Sequence, residues 1–247
     1  MSEFPLLVFT SFAGLAAGAY FVNAFFPVKG GEKRRWVFPL IVLILLGIGL
    51  LGTLFHLGHP ERFLGGLSNL SAGIAQEGLC SIVFGLVVLA DLIVAAKTGK
   101  SNRALQIVGA VLGLALMYIM ANAYVAMVTI PAWSNIATVL LFIAGDIAMG
   151  FVLVGFFENA LYEKCAFNAA AIIAAAAAIV SFVFEMVLFC GLGLKVSAFV
   201  IGAILVAAGA VVIFVARKKA SAALAIAAFA CVIIGVLIAR FAFYAVA

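Results

Sequence analysis

The sequence predicts an all-α integral membrane protein, a bundle of eight transmembrane helices with the N- and C-termini outside. Three observations predict this fold. Hydrophobic residues make up 68% of the 247 residues and charged residues only 9%, whereas a soluble domain has roughly 45–50% and about 25%. Apolar runs long enough to cross a bilayer recur along the sequence, and basic residues concentrate in alternate connections between them. A water-facing fold could not hide this much apolar surface, so lipid is the solvent that the protein requires.

The predicted helices follow one another with short connections. A membrane span needs about 20 mostly apolar residues, and eight such runs fit, at 5–26, 37–56, 77–96, 104–128, 134–157, 166–190, 197–216 and 221–245. The runs lack the apolar and polar alternation of a transmembrane β-barrel, so their backbone hydrogen bonds must be satisfied within helices. Residues 1–247 are expected to form a single membrane domain, and any chemistry that needs a soluble domain must come from a partner.

The charges of the connections predict how the bundle lies in the membrane. The connections after helices 1, 3, 5 and 7 carry eleven lysines and arginines, whereas the opposite side, together with helix 8, carries three. Basic residues favour the cytoplasmic side of a membrane. The odd-numbered connections are therefore expected in the cytoplasm of a bacterial inner membrane, with both termini outside. The net charge of +5 fits this orientation and contact with membrane lipid, and it does not indicate nucleic-acid binding.

Titratable residues gather between helices 2 and 3, in the stretch "LFHLGHPERFLGGLSNLSAGIAQE". His56 ends helix 2, Gly58 begins a helix-breaking Gly-x-Pro sequence, Arg62 lies in the connection and Glu77 opens helix 3. Histidine exchanges protons near neutral pH, and a partly desolvated carboxylate can be tuned to the same range. These groups are suited to bind the oxygens of a quinol, whose oxidation releases two electrons and two protons. The alternative is that His56 only caps a helix or contacts lipid headgroups.

Other candidates lie within or beside the predicted helices. Asp146, Glu185 and Arg240 are surrounded by apolar residues, and pairing is expected because an unpaired charge in a membrane is costly. They are interpreted either as structural contacts between helices or as a buried polar wall or proton path. Trp133 lies in a proline–aromatic corner after helix 4. It is a candidate to line the quinol pocket, or else it belongs with Tyr124 to the aromatic belt at the membrane interface.

The sequence predicts no metal and no haem in this chain. The four cysteines are scattered singly, with no Cys-x-x-Cys pair and no Cys/His cluster. Membrane b-type cytochromes hold each haem with two histidines from transmembrane helices. His56 and His59 are the only histidines, and they lie too close together, directly before a proline, to ligate one iron from opposite sides. The chain is therefore expected to have no redox centre of its own.

Several motifs, together with the number and order of the helices, resemble a known family. The motifs are "FHLGHPERF" (55–63), "QEGL" (76–79), "IPAWSN" (130–135) and "ARFAFYA" (239–245). The protein resembles the membrane-anchor subunit of dimethyl sulfoxide reductase, the DmsC type. The resemblance implies that the protein anchors a molybdopterin catalytic subunit and a four-cluster iron–sulfur subunit. It also implies that the anchor itself oxidises menaquinol near the outer surface and holds no haem. It also implies that His56 and Glu77 match the functional histidine and glutamate, and that Gly58 and Arg62 match the glycine and arginine of the motif.

The predicted function is a quinol-oxidising anchor subunit of anaerobic electron transport, which does not act alone on the terminal substrate. In this hypothesis Glu77 accepts a quinol proton and His56 hydrogen-bonds the other oxygen or relays its proton. Arg62 holds Glu77 ionised or steadies the connection against an iron–sulfur partner docked on the outer face. The alternatives are a purely structural anchor without a quinone site, a proton-translocating subunit of the polysulfide-reductase type, and a transporter. The transporter is disfavoured because neither inverted repeats nor broken helices are evident in the sequence.

Overall fold

The computed structural model describes residues 3–30, 34–56, 69 and 72–246, without the side chain of His56. Within these ranges, eight helices are long and apolar enough to cross a membrane. They are α1 (Phe4–Phe25), α2 (Val37–His56), α3 (Gly73–Thr98), α4 (Arg103–Val125), α5 (Ile136–Phe157), α6 (Cys165–Gly191), α7 (Ser197–Ala216) and α8 (Ala222–Tyr244). A short 3-10 helix, Asn159–Glu163, connects α5 to α6. The all-helical fold and the eight predicted spans are confirmed.

Most helix ends lie within two residues of the predicted bounds, and the two that differ by more both lie beside the candidate site. The third helix begins at Gly73, one turn before the expected start, so that Glu77 lies inside the helix instead of opening it. The predicted start was set by a count of apolar residues, which stops at a polar residue. The backbone hydrogen bonds of a helix continue through polar residues, so the helix itself extends further. The fourth helix ends at Val125, where the chain turns and the Ser134 hydroxyl donates to the carbonyl oxygen of Val125 at 2.7 Å.

The first and fifth helices form the centre of the bundle. Helix α1 packs against α2, α4 and α5, and α5 packs in addition against α6 and α8. Glycines allow α1 and α5 to touch by their backbones. A Cβ atom added to Gly18 would collide with the carbonyl oxygen of Asp146, and one added to Gly150 would collide with the carbonyl group of Gly18. Small residues at such positions let membrane helices approach closely enough to gain packing energy.

The two ends of the bundle differ in charge. We call the end at which α1 begins and α8 ends the termini end, and the opposite one the basic end, because Lys29, Lys97, Lys164 and Lys218 lie there. The contact between the hydroxyl groups of Thr10 and Tyr244 joins the first half of α1 to the last turn of α8, so both termini lie at the same end.

Acidic residues at the basic end hold the connections in place. Oε2 of Glu158 accepts the backbone N–H groups of Lys29 and Gly30, each at 3.1 Å. Oε1 of Glu163 accepts the backbone N–H of Ala220 at 2.9 Å. Because these carboxylates are engaged with the backbone of neighbouring connections, they have no features of a ligand site.

Asp91, which lies within α3, also makes hydrogen bonds that hold neighbouring parts of the fold together. Its Oδ2 accepts the hydroxyl hydrogen of Tyr20 at 2.8 Å, and its Oδ1 accepts the backbone N–H of Asn102 at 3.1 Å. Asp91 thereby ties the end of α3 to α1 and to the N-cap of α4. The side chain of Asn102 in turn accepts the backbone N–H groups of Ala104 and Leu105, which satisfies two of the free donors at the start of that helix.

Candidate functional site

A cavity lies at the termini end of the bundle, among the first four helices. Its volume is about 320 Å³, within the range of about 300–1,000 Å³ that is usual for small-molecule sites. Four helices contribute its lining, with Leu6 from α1, Thr53 from α2, Gly73, Ile74, Gln76 and Glu77 from α3, and Asn122, Ala123 and Tyr124 from α4, followed by Ala126 and Met127. The wall is thus apolar for the most part and carries a few polar groups, as ligand sites in proteins usually do.

The carboxylate of Glu77 is buried in the wall of this cavity. The residue is only 6% exposed, and its Oε1 has no hydrogen-bond partner among the described residues. The one salt bridge in the described part of the protein lies elsewhere, between Asp146 and Arg240. A buried carboxylate oxygen without a partner costs free energy inside a membrane protein, so such a residue calls for a functional explanation. This distinguishes Glu77 from Glu158 and Glu163 at the basic end, whose oxygens accept backbone N–H groups.

A second polar group without a partner faces the same cavity. Thr53 is 4% exposed, and its Oγ1 has no hydrogen-bond partner among the residues that the structure describes. Sequence reasoning missed this residue. The available signal was a lone hydroxyl in an apolar helix, one turn before His56, which is the last residue of α2.

The predicted site extends beyond the described residues. Gly58 and Arg62, like His59, lie outside the described residues, and of His56 only the backbone position at the end of α2 is described. The structure therefore brings together Glu77 and α2 at the termini end, while the roles expected of these other residues stay predictions. The described residues also contain no group of three His, Cys, Asp or Glu side chains that could hold a metal ion.

The aromatic residues near the cavity are buried, which corrects the expectation of an interfacial belt for Trp133 and Tyr124. Each is 2% exposed. The Trp133 ring stacks on Phe243 with 5.4 Å between centroids, and its Nε1 donates to the Phe243 carbonyl oxygen at 2.7 Å. The backbone folds back after α4 and places Trp133 against the last turns of α8, which a sequence position cannot reveal.

Trp133 does not line the cavity, although it was a candidate to bind quinol. Its ring meets the edge of Tyr124 at a centroid distance of 5.2 Å, and Tyr124 forms the cavity wall. Trp133 therefore lies one layer behind the cavity and supports the wall from the side of α5 and α8.

The predicted pairing of buried charges is found between Asp146 and Arg240. Both residues are fully buried, and Nη2 of Arg240 lies 2.5 Å from Oδ1 of Asp146. The guanidinium also donates to the carbonyl oxygens of Thr10 at 2.6 Å and Phe142 at 3.4 Å, and it lies 4.7 Å from the centroid of the Phe142 ring. These contacts join α1, α5 and α8, so the pair has the geometry of a structural contact between helices.

Glu185 does not share in this pair. It is fully buried in α6, and neither of its carboxylate oxygens has a hydrogen-bond partner among the described residues. The Thr138 hydroxyl donates instead to the carbonyl oxygen of Trp133 at 2.8 Å. Asp146, Arg240 and Glu185 thus form no continuous hydrogen-bonded path in the described structure.

Eight helices that are long and apolar enough to span a membrane define a class, that of multi-pass integral membrane proteins, here with a small cavity at one end of the bundle. Comparison with known families makes the assignment specific. The family model described as "DMSO reductase anchor subunit (DmsC)" matches residues 1–246. The protein belongs to the DMSO reductase anchor subunit family.

Individual relatives agree with this assignment. The protein is 32% identical over 146 residues to the C subunit of the anaerobic dimethyl sulfoxide reductase of Haemophilus influenzae, a match that covers 55% of this sequence and 51% of the relative. It is 31% identical over 147 residues to the subunit of the same name from Escherichia coli, covering 55% and 50%. The YnfH subunit of an Escherichia coli anaerobic dimethyl sulfoxide reductase is 30% identical over 161 residues, covering 61% and 56%. The alignments thus span about half the length of the relatives that the protein matches.

Proposed function

We propose that this protein is the membrane anchor of a molybdopterin oxidoreductase complex and that it oxidises menaquinol in the cavity beside Glu77. The observation that carries the proposal is the buried Glu77 carboxylate, whose Oε1 has no partner in the described structure and which lines a cavity of about 320 Å³. Thr53 adds a second unpartnered polar group to the same wall. A ligand with two hydroxyl groups and an apolar ring system matches this combination of polar and apolar lining.

The proposed reaction removes two electrons and two protons from menaquinol and leaves menaquinone. Glu77 accepts a proton from one quinol hydroxyl, as a general base must, from within hydrogen-bond reach. His56, one turn beyond Thr53 on α2, hydrogen-bonds the other quinol oxygen or relays its proton to water. Arg62 holds Glu77 ionised or steadies the connection, and Gly58 is proposed to belong to the quinol-binding residues. Trp133 acts by supporting Tyr124, not by touching the quinol.

The proposed partners receive the electrons, because the anchor is proposed to hold no haem and no metal. They are a four-cluster iron–sulfur subunit and a molybdopterin catalytic subunit, docked where the quinol cavity lies. The cavity is at the termini end of the bundle, and the lysines and arginines of the connections concentrate at the other end. Basic residues favour the cytoplasmic side, so we place the cavity and the partners at the outer face of a bacterial inner membrane.

This orientation predicts which connections can be labelled from outside the cell. In a variant with all four cysteines changed to alanine, Lys195→Cys lies between α6 and α7 at the termini end, and Lys218→Cys lies after α7 at the basic end. Both positions are exposed. A membrane-impermeant maleimide should label Lys195→Cys in intact spheroplasts and Lys218→Cys only after the membrane is opened. The reverse pattern would place the proposed quinol cavity on the cytoplasmic side.

Two other functions make different predictions. A purely structural anchor would leave the cavity without a ligand and would support reduction of the terminal substrate only from a soluble donor. A proton-translocating subunit would need a path across the bilayer, for which the unpartnered Glu185 is one candidate group. The Asp146–Arg240 pair is occupied by structural contacts and does not favour this alternative.

The function is tested by comparing two electron donors to the assembled complex in membrane vesicles. Menaquinol should support reduction of the terminal substrate, and so should a reduced viologen dye that reaches the catalytic subunits directly. If the dye supports turnover while menaquinol does not, the protein is a structural anchor and the proposed quinol oxidation is wrong.

A further inference from the structure

The hydroxyl group of Thr53 differs from those of the other threonines within the described helices. A threonine inside a helix often donates its hydroxyl hydrogen to a backbone carbonyl oxygen of the preceding turn. Thr10 and Thr98 each donate to the carbonyl oxygen four residues earlier, at 3.0 and 2.8 Å, and Thr138 donates to that of Trp133 at 2.8 Å. Oγ1 of Thr53 has no hydrogen-bond partner in the described structure, although the residue is buried. Leaving it unpaired costs free energy, which a bound group that pairs with it would recover.

Close contacts between α2 and α1 fix the position of Thr53. A Cβ atom added to Gly52 would lie 2.7 Å from the carbonyl oxygen of Pro5, and one added to Gly49 would lie 3.0 Å from the backbone nitrogen of Ala13. The two glycines thus let the backbones of α2 and α1 pack closely in the turn that leads to Thr53. Because this packing holds the backbone in place, Thr53 lies at the cavity wall before any ligand binds, which lowers the entropic cost of binding.

Among the buried, unpartnered serine and threonine hydroxyls of the described structure, that of Thr53 alone shares a cavity with Glu77. Ser81 lies one turn beyond Glu77 in α3 and does not line this cavity, and Ser11 lines a separate groove between α1 and α8. Helices α2 and α3 therefore bring one unpartnered hydroxyl and one unpartnered carboxylate oxygen to a single space of about 320 Å³.

A hydroxyl group suits a ligand whose oxygens change from hydrogen-bond donors to acceptors. A quinol carries two O–H groups, whereas the corresponding quinone carries carbonyl oxygens, which only accept. A threonine hydroxyl has one hydrogen and two lone pairs, so it can accept from the quinol and donate to the quinone after its own hydrogen turns. The ionised carboxylate of Glu77 can only accept. The two groups therefore differ in what they can bind once the ligand is oxidised.

We propose that the Thr53 hydroxyl binds the quinol oxygen that does not face Glu77, and that it keeps a hydrogen bond to this oxygen in both oxidation states. Thr53 accepts from the quinol hydroxyl before oxidation and donates to the quinone carbonyl oxygen afterwards. It is a binding residue and takes up no proton, which assigns to His56 the relay of the proton from this oxygen. The inference rests on the proposed quinol oxidation at the same cavity, and it adds a binding residue and the reason that its hydrogen bond survives the reaction.

The test removes the hydroxyl and keeps the branched shape of the side chain, in Thr53→Val. Displacement of a fluorescent menaquinol analogue from the assembled complex is measured with menadiol, under anaerobic reducing conditions, and with menadione. Both ligands should bind roughly three- to tenfold more weakly than to the wild type, as expected for the loss of one hydrogen bond. Thr53→Ser keeps the hydroxyl and should restore the wild-type affinity for both ligands.

The matched control is Ser81→Ala, which removes a buried, unpartnered hydroxyl that does not line the cavity. Its affinities for menadiol and menadione should equal those of the wild type. Thermal unfolding of the ligand-free complex adds a second measurement. Because the Thr53 hydroxyl has no partner in the described structure, the unfolding midpoint should not fall in Thr53→Val. A lower midpoint would give this hydroxyl a structural role and overturn the proposal.

The outcomes separate the inference from the proposed function. If the wild-type complex binds neither menadiol nor menadione, quinol oxidation at this cavity is wrong and the inference falls with it. If both bind and Thr53→Val leaves both affinities at the wild-type value, the role of Thr53 is overturned while the quinol site stands. A loss confined to one oxidation state, or an equal loss in Thr53→Ser, also overturns it. Should Thr53→Val fail to assemble, Thr53→Ala removes the same hydroxyl without adding bulk, and the same weakening of both ligands is expected.

Discussion

Changing Glu77 to glutamine should lower menaquinol-dependent turnover on the order of 100-fold, the lower end of the contribution of a general base. Glutamine has nearly the same shape as glutamate but cannot take up a proton. Because Oε1 of Glu77 has no hydrogen-bond partner in the described structure, the substitution breaks no contact at that oxygen and the complex should assemble. Turnover is measured in membrane vesicles with menaquinol and, separately, with a reduced viologen dye, whose rate should stay at the wild-type value.

Glu158→Gln is the matched control for this prediction. It makes the same change at the basic end, where Oε2 of Glu158 accepts the backbone N–H groups of Lys29 and Gly30. A glutamine oxygen can accept both, so menaquinol-dependent turnover should be unaffected. Wild-type menaquinol turnover in Glu77→Gln would show that this carboxylate takes no proton from the quinol. A parallel loss with menaquinol and with dye would show that Glu77 is needed for assembly instead.

Changing Arg240 to methionine should lower the free energy of unfolding by about 3–5 kcal/mol, the usual cost of removing one member of a buried ion pair. The substitution leaves Asp146 with no counter-charge inside the bundle, and it removes the donors to the carbonyl oxygens of Thr10 and Phe142. The loss is measured as the midpoint of thermal unfolding of the detergent-solubilised complex, and as the amount of this protein that remains in the membrane.

The double variant Asp146→Asn with Arg240→Met distinguishes an uncompensated charge from lost packing. It removes both charges. The Asp146 carboxylate packs directly against Gly14, and asparagine keeps the shape of aspartate at this crowded position. The double variant should therefore be more stable than Arg240→Met alone, because it no longer buries a lone carboxylate. Equal instability of the single and double variants would mean that the guanidinium contributes through packing and its backbone contacts, and not by neutralising Asp146.

The sequence was sufficient for the membrane fold because each span depends on its own residues. A run of about 20 apolar residues crosses the bilayer whatever its neighbours are, and all eight predicted runs are helices in the structure. The end of a helix is set differently. At Gly73 the third helix begins before its predicted run does, since the residues up to Glu77 already lie in the helical hydrogen-bonding pattern.

The candidate site could be predicted only in part, because it depends on which helices are neighbours. Glu77 was recognisable as an acid beside an apolar run, and Asp146 and Arg240 as charges that needed a partner. That they pair with each other, and that Tyr124 meets Tyr244, follows from the packing of α5 against α8 and from the fold of the backbone after α4. These contacts join residues more than ninety positions apart, and no local pattern in the sequence specifies them.

The central claim is that quinol binds in the cavity beside Glu77. The measurement that tests it most directly is a fluorescence-quenching titration of the purified complex with a fluorescent menaquinol analogue, performed on the wild type, Glu77→Gln and Glu158→Gln. We expect saturable binding to the wild type and to Glu158→Gln, and loss of that binding in Glu77→Gln. Binding of equal strength in all three would contradict the claim, because the quinol would then lie away from the buried carboxylate on which the proposal rests.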